Sequence, residues 1–277
     1  MRRPSRPARS GTACISDIPA FVAVSTESRA AVAGAALRVA SAIVLIASWE
    51  VVALALHDRV LPTPVAVLGR LLAEARSGEL FRQTGITLAR VAASFVVAMF
   101  VGTAIGIVMG ARRRWDVMLD GPLLVALNMP ALVIIILVFV WAGLNEFAVV
   151  VAVALNKIPT VVVSVREGAR AIDVGLLQVG RAFGLSSRRV FFGTYLPQLY
   201  PYLMAATRNG IALIWKIVLV AELLGCSSGV GFKLGTFFQF FDIASILAYT
   251  AVFIALFALI ETMLLRPLER RLTAWRA

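Results

Sequence analysis

At 277 residues, 60% of them hydrophobic and 15% charged, the chain has more apolar mass than one water-soluble core can bury. A mean hydropathy of +0.90 points to a polytopic membrane protein. The formal charge of +12 does not make it a nucleic-acid binder, because the arginines flank apolar spans instead of forming one patch with interleaved aromatics.

Residues 1–36 are rich in Arg, Ser, Ala and Pro and read as a disordered cytoplasmic tail. Arg2 and Arg3 lack the apolar stretch and cleavage site that a secretion signal requires. Residues 37–277 read as an all-α membrane domain of six helices, with spans at 39–56, 86–109, 123–142, 147–165, 200–224 and 243–265. His57 closes the first span as an interfacial residue. After it, Pro62 and Pro64 precede a pattern with Val65, Leu68, Leu71, Leu72 and Ala75 on one side, and Arg70, Glu74 and Arg76 away from it. That pattern fits a helix lying in the membrane interface, or a cap on the bundle.

In the second span Gly102, Gly106 and Gly110 recur every four residues, which lets two helix backbones approach closely in lipid. The contact is either between subunits or within one; packing within one subunit is favoured, since six helices must first pack together. Asn128, Met129 and Pro130 interrupt the third span, and a proline break at membrane depth often borders a cavity. The fifth span holds Arg208, Asn209, Lys216 and Glu222. Arg208 is placed to snorkel and Glu222 to sit at the outer interface, leaving Lys216 as the charge deep enough to line a pathway. Glu50, Arg90, Lys157 and Glu261 read as single charges, with no spacing that argues for a proton relay.

No catalytic or metal constellation is legible. There is one histidine, and the two cysteines, Cys14 and Cys226, fall in segments expected on opposite sides of the membrane. A G-x4-G-K-S/T phosphate loop is absent, so ATP-driven transport would need its ATPase on another chain.

Orientation follows the arginines. The N-terminal tail, Arg112 to Arg114, the stretch from Arg166 to Arg189 and the C-terminal tail carry most of them. Arg59, Arg70, Arg76, Arg82 and Lys233 fall on the opposite side. Both termini are therefore expected in the cytoplasm, together with the polar segment 173–197. That segment reads as two short helices hinged at a glycine. Asp173 is a helix N-cap, Ile172, Leu176, Val179 and Phe183 share a face, and Gly184 suits a helix C-terminus. Ser186 caps a second turn bearing Arg188 and Arg189, and Pro197 is expected to end it.

The elbow resembles the E-A-A-x3-G-x9-I-x-L-P signature of permease subunits of bacterial ATP-binding-cassette importers. Gln178, Val179 and Gly180 stand at the E-A-A positions, Thr194 at the isoleucine, while Gly184, Leu196 and Pro197 are retained. Residues 61–81, the Gly102-to-Arg114 stretch and residues 220–232 are similar to the nitrate/sulfonate/taurine branch of these permeases. The resemblance implies the type I importer permease fold in a bacterial inner membrane, with no cofactor. It implies a second permease copy forming a homodimer, a cytoplasmic ATPase dimer, and a periplasmic or lipid-anchored substrate-binding protein. Gln178, Val179, Gly180, Gly184, Leu185, Ser186, Leu196 and Pro197 would then form the ATPase-coupling surface. An ion-coupled secondary transporter is the alternative; it would show inverted repeats or intramembrane carboxylates with evident roles.

Overall fold

A computed structural model describes residues 37, 40–56 and 61–267, and the regular elements among these are helices. Residues 1–58 and 59–277 separate into two units. The first contains α1 (Ala40–Leu56), a short apolar helix. The N-terminal tail, His57 and Cys14 lie outside the described residues.

The second unit is built on three long helices, α3 (Glu79–Ala111), α6 (Glu146–Arg170) and α9 (Leu196–Gly225). Their pairing is set by small residues. A Cβ at Gly102 would stand 2.7 Å from the Val161 Cβ, one at Gly106 2.7 Å from the Val165 Cβ, and Gly110 abuts Ala169. Each step of four on α3 meets a step of four on α6, so the two helices run parallel with backbones nearly touching. Gly210 of α9 packs on Lys157 of α6, whereas Tyr202 packs on Gly168, so α9 runs antiparallel to α6. The apolar centre includes Ile135, Val149, Val153, Ile214, Val218 and Tyr249, with Trp215 stacked on Phe253 at 4.3 Å between ring centroids.

The third expected span departs most from a simple rod. α4 (Arg113–Asn128) and α5 (Ala131–Ala142) meet at 99° across Met129 and Pro130. Pro130 lacks an N–H and forces the residue before it out of helical geometry, so the break is a corner more than a kink. At 12 residues, α5 alone extends about 18 Å, well short of a hydrocarbon core. Among the described residues four helices are long and apolar enough to cross a membrane, or five if the bent pair counts as one. α11 (Ile243–Ile260), continuing through a π turn to Leu265, supplies the last of these.

α2 (Pro64–Arg76) is capped by Thr63 and packs on α11 and α3. Its apolar side chains divide between two faces. Val67 is buried and Leu71 and Ala75 pack on the core, whereas Val65, Leu68 and Leu72 are exposed. Tyr249 of α11 donates to Glu74 at 2.8 Å and fastens α2 to the bundle. α10 (Val230–Gln239) folds back along α9 and reaches α11.

Candidate functional site

The elbow is assembled by local chemistry. Asp173 Oδ1 accepts from the Gly175 and Leu176 N–H groups at 2.7 and 3.3 Å, opening α7 (Val174–Ala182). α7 closes on a Schellman turn. The Leu185 N–H donates to the Gly180 carbonyl (3.1 Å) and the Gly184 N–H to that of Arg181 (2.9 Å). Gly184 has φ +73°, a conformation in which a Cβ is strained. Ser186 Oγ then accepts the Arg189 N–H (3.4 Å) and opens α8 (Ser187–Val190).

Ile172 is buried at the root of the elbow, but Leu176, Val179 and Phe183 are 51%, 52% and 81% exposed. A rigidly capped helix thus presents an apolar stripe that nothing among the described residues covers. Gln178 lies exposed beside it, and Gly180 faces inward against Val190 and Leu185.

The expectation that Pro197 ends the second helix does not hold. α8 passes through a π turn at Phe191–Tyr195 into α9, with Pro197 in the first turn, and Ser187–Gly225 is one helix of 39 residues. The wide turn explains the tolerance. The Leu196 N–H reaches back five residues to Phe191, loosening the ladder where the proline ring would otherwise strike a carbonyl.

At the far end of α9 the structure corrects a second expectation. Arg90 and Glu222 are not single charges at interfaces; they are 4% and 0% exposed and joined at 2.7 Å. All five Arg90 N–H groups are used. Nε and one amino group grip Glu146 side-on, the other serves Glu222 and the Ser228 carbonyl (2.8 Å), and Ser228 Oγ takes the last (2.9 Å). Thr87 donates to the Glu222 carboxylate, 2.9 Å from each oxygen. Three consecutive N–H groups at the start of α10 end on these side chains: Gly229 on Gln83, Val230 on Thr87 at 2.8 Å, and Gly231 on Glu222 at 2.8 Å. They are the free donors of a helix N-terminus, and the carboxylate also complements its dipole.

Glycines make the knot possible. Gly229, at φ +102°, lies against the Glu222 carboxyl group, and a Cβ at Gly231 would stand 2.7 Å from the Glu222 Cβ. Gly225 accommodates Phe139 and Leu144. Beside the knot a hollow of about 450 Å³ is lined by Arg90, Asn145, Glu146, Cys226 and Ser227, among others. Burial pushes the Cys226 thiol up to about 11.

The remaining candidates lie apart from the knot. Asn128 and Met129 are exposed at the α4–α5 corner and, with Leu124 and Val125, line a hollow of about 420 Å³. Lys216 is exposed on the same helix as Leu213, Val220 and Leu223, which are exposed too, and is not among the residues lining that hollow. Lys157, expected as a stray charge, is 3% exposed in the middle of α6 with its Cε packed towards Gly210. Arg208, expected to snorkel, pairs with Glu261 of the α11 extension at 2.8 Å.

The family model described as binding-protein-dependent transport system inner membrane component matches residues 102–273. The putative aliphatic sulfonates transport permease protein SsuC of Bacillus subtilis (strain 168) is 30% identical over 235 residues, which is 84% of this chain and 85% of that one. The taurine transport system permease protein TauC of Escherichia coli (strain K12) is 28% identical over 240 residues, 84% and 87% of the two chains. A solved amino acid ABC transporter crystallised with histidines superposes with TM-score 0.58 at 18% identity, over 73% of this chain and 97% of its own, a likeness of fold.

Proposed function

The chain belongs to the binding-protein-dependent transport system inner membrane component family, and on that premise we propose that it is the permease subunit of an ATP-driven importer, coupled to a cytoplasmic ATPase dimer through the elbow at 173–197. The observation that carries the coupling is the exposed stripe of Leu176, Val179 and Phe183 on a helix fixed at both ends by its own caps. An apolar stripe held rigid is a surface suited to a groove in a soluble partner. Gln178 occupies the position where the signature has a glutamate, so the coupling contact rests on shape and apolar area, with the glycine hinge at Gly184 setting the angle.

In this reading a second copy completes the pathway, both termini share the cytoplasmic side with the elbow, and a substrate-binding protein delivers solute to the opposite face. Asn128, Met129, Pro130 and Lys216 line the route; their exposure in the single subunit supports this. The exposed Lys216 and the named substrates of the two relatives favour a small oxyanion such as a sulfonate.

Co-purification tests the reading. The tagged chain, co-expressed with the ABC ATPases of its own organism, retains one of them, and Phe183→Asp with Val179→Asp releases it while the permease stays folded. Failure of the unaltered chain to retain any ATPase would end the coupling reading. Uptake by a deletion strain tests the substrate: loss confined to neutral or cationic solutes would exclude the oxyanion.

A further inference from the structure

The arginine-rich end of α3 carries a second surface that transport does not account for. Ala104, Ile105 and Val108 of α3 and Trp115 and Leu119 of α4 line a hollow of about 290 Å³ whose walls are all apolar side chains. Arg112 joins the two helices. Its N–H donates to the Val108 carbonyl at 3.1 Å, so it stands one turn beyond the wall, and Arg113 and Arg114 follow directly. All three arginines are exposed.

Their charge is not cancelled locally. Among the described residues Arg112 and Arg114 enter no ion pair, and Arg113 reaches Asp116 only at 3.8 Å while 87% exposed. The nearby acids are engaged elsewhere: Asp116 holds Arg170 at 2.6 Å and Asp120 holds Arg166 at 2.7 Å. An apolar-walled groove with a 40% exposed tryptophan, followed one turn on by Arg112 and Arg114, which pair with no acid among the described residues, has the parts of an amphiphile site.

We propose that this groove binds an anionic phospholipid, its acyl chain between Val108 and Trp115 and its phosphate on Arg112 and Arg114. The apolar walls alone would accept any lipid, so the selectivity resides in the arginines. A guanidinium grips phosphate with paired N–H groups and remains charged at the membrane surface.

The full chain in phosphatidylcholine nanodiscs provides the test. Brominated phosphatidylglycerol is compared with equal fractions of brominated phosphatidylcholine as quencher of Trp115, read as the unaltered chain minus Trp115→Phe. The anionic lipid quenches at the lower mole fraction, and each of Arg112→Gln and Arg114→Gln weakens that preference roughly fivefold. The single variants leave the thermal melt unchanged, which separates lost binding from lost folding, and raised salt shrinks the preference. Equal quenching by both lipids, or a preference that survives both substitutions, overturns the proposal. So does a Trp115 that neither lipid reaches, because a second copy would then cover the groove. No step of the measurement involves transport.

Discussion

The two ends of the Ser187–Gly225 helix are finished in opposite ways. Around Glu222 every strong donor of Arg90 has an acceptor, and the first N–H groups of α10 are satisfied by side chains from α3 and α9. Around α7 the backbone is equally well capped, yet the apolar side chains face outward. Polar groups buried without partners are costly, so the inner knot has to be complete within one chain. An exposed apolar stripe on a stiff helix can instead be left for another protein to cover. One end is closed in on itself and the other awaits completion.

Breaking the knot gives the largest effect. Glu222→Ala takes one of the two carboxylates from Arg90 and strands the Gly231 N–H. The lost charged bond and the bare donor together destabilise the bundle by about 3–5 kcal/mol, visible as a lowered melting temperature in detergent and reduced membrane yield. Gly106→Ala drives a methyl into Val165 and costs about 1–3 kcal/mol by the same assay, without touching a charge. Gly184→Val strains a left-handed residue and costs about 1–3 kcal/mol, but locally. Its signature is lost ATPase retention and raised amide exchange in α7, with the bundle's melt nearly intact. Phe183→Ser should move the melt by less than about 0.5 kcal/mol and still weaken retention of the ATPase. The contrast would collapse if Phe183→Ser unfolded the bundle or Glu222→Ala left it unmoved.

The smallest effect is chemical. With its thiol pushed up to about 11 by burial, Cys226 stays protonated at neutral pH. In a Cys14→Ser background, iodoacetamide labelling of the folded chain stays slow up to about pH 9 and rises only above that. Rapid labelling at pH 7 would show that the knot opens.

The same contrast explains what was legible in the chain alone. The capping hydrogen bonds of the elbow span five residues or fewer, so Asp173, Gly184 and Ser186 could be read directly as caps and hinge. Arg90 meets its partners 56 to 138 residues away, and no local spacing reveals such a pair. The trace it did leave was in the glycines: Gly225, Gly229 and Gly231 around a membrane glutamate mark a backbone that must approach something closely. Pro197 misled for a different reason. The rule that proline stops a helix assumes a regular ladder upstream, and a π turn removes that premise. The four long apolar spans were legible because length and hydropathy suffice for them, whereas the size of the angle at Met129 and Pro130 depends on tertiary packing, α4 against α3 and α6 and α5 against α6 and α9.

The uninterrupted helix has a mechanical consequence. At 39 residues it is about 58 Å long, and no loop intervenes between Ser187 in the elbow and Glu222 near its tip. Torque or thrust applied at one end is therefore delivered to the other through continuous helix. The hydrogen-bond ladder of this shaft widens at the π turn at Phe191–Tyr195, next to the end where a partner would push. Its stiffness determines how much of a displacement is spent in bending and how much arrives at the salt-bridged tip.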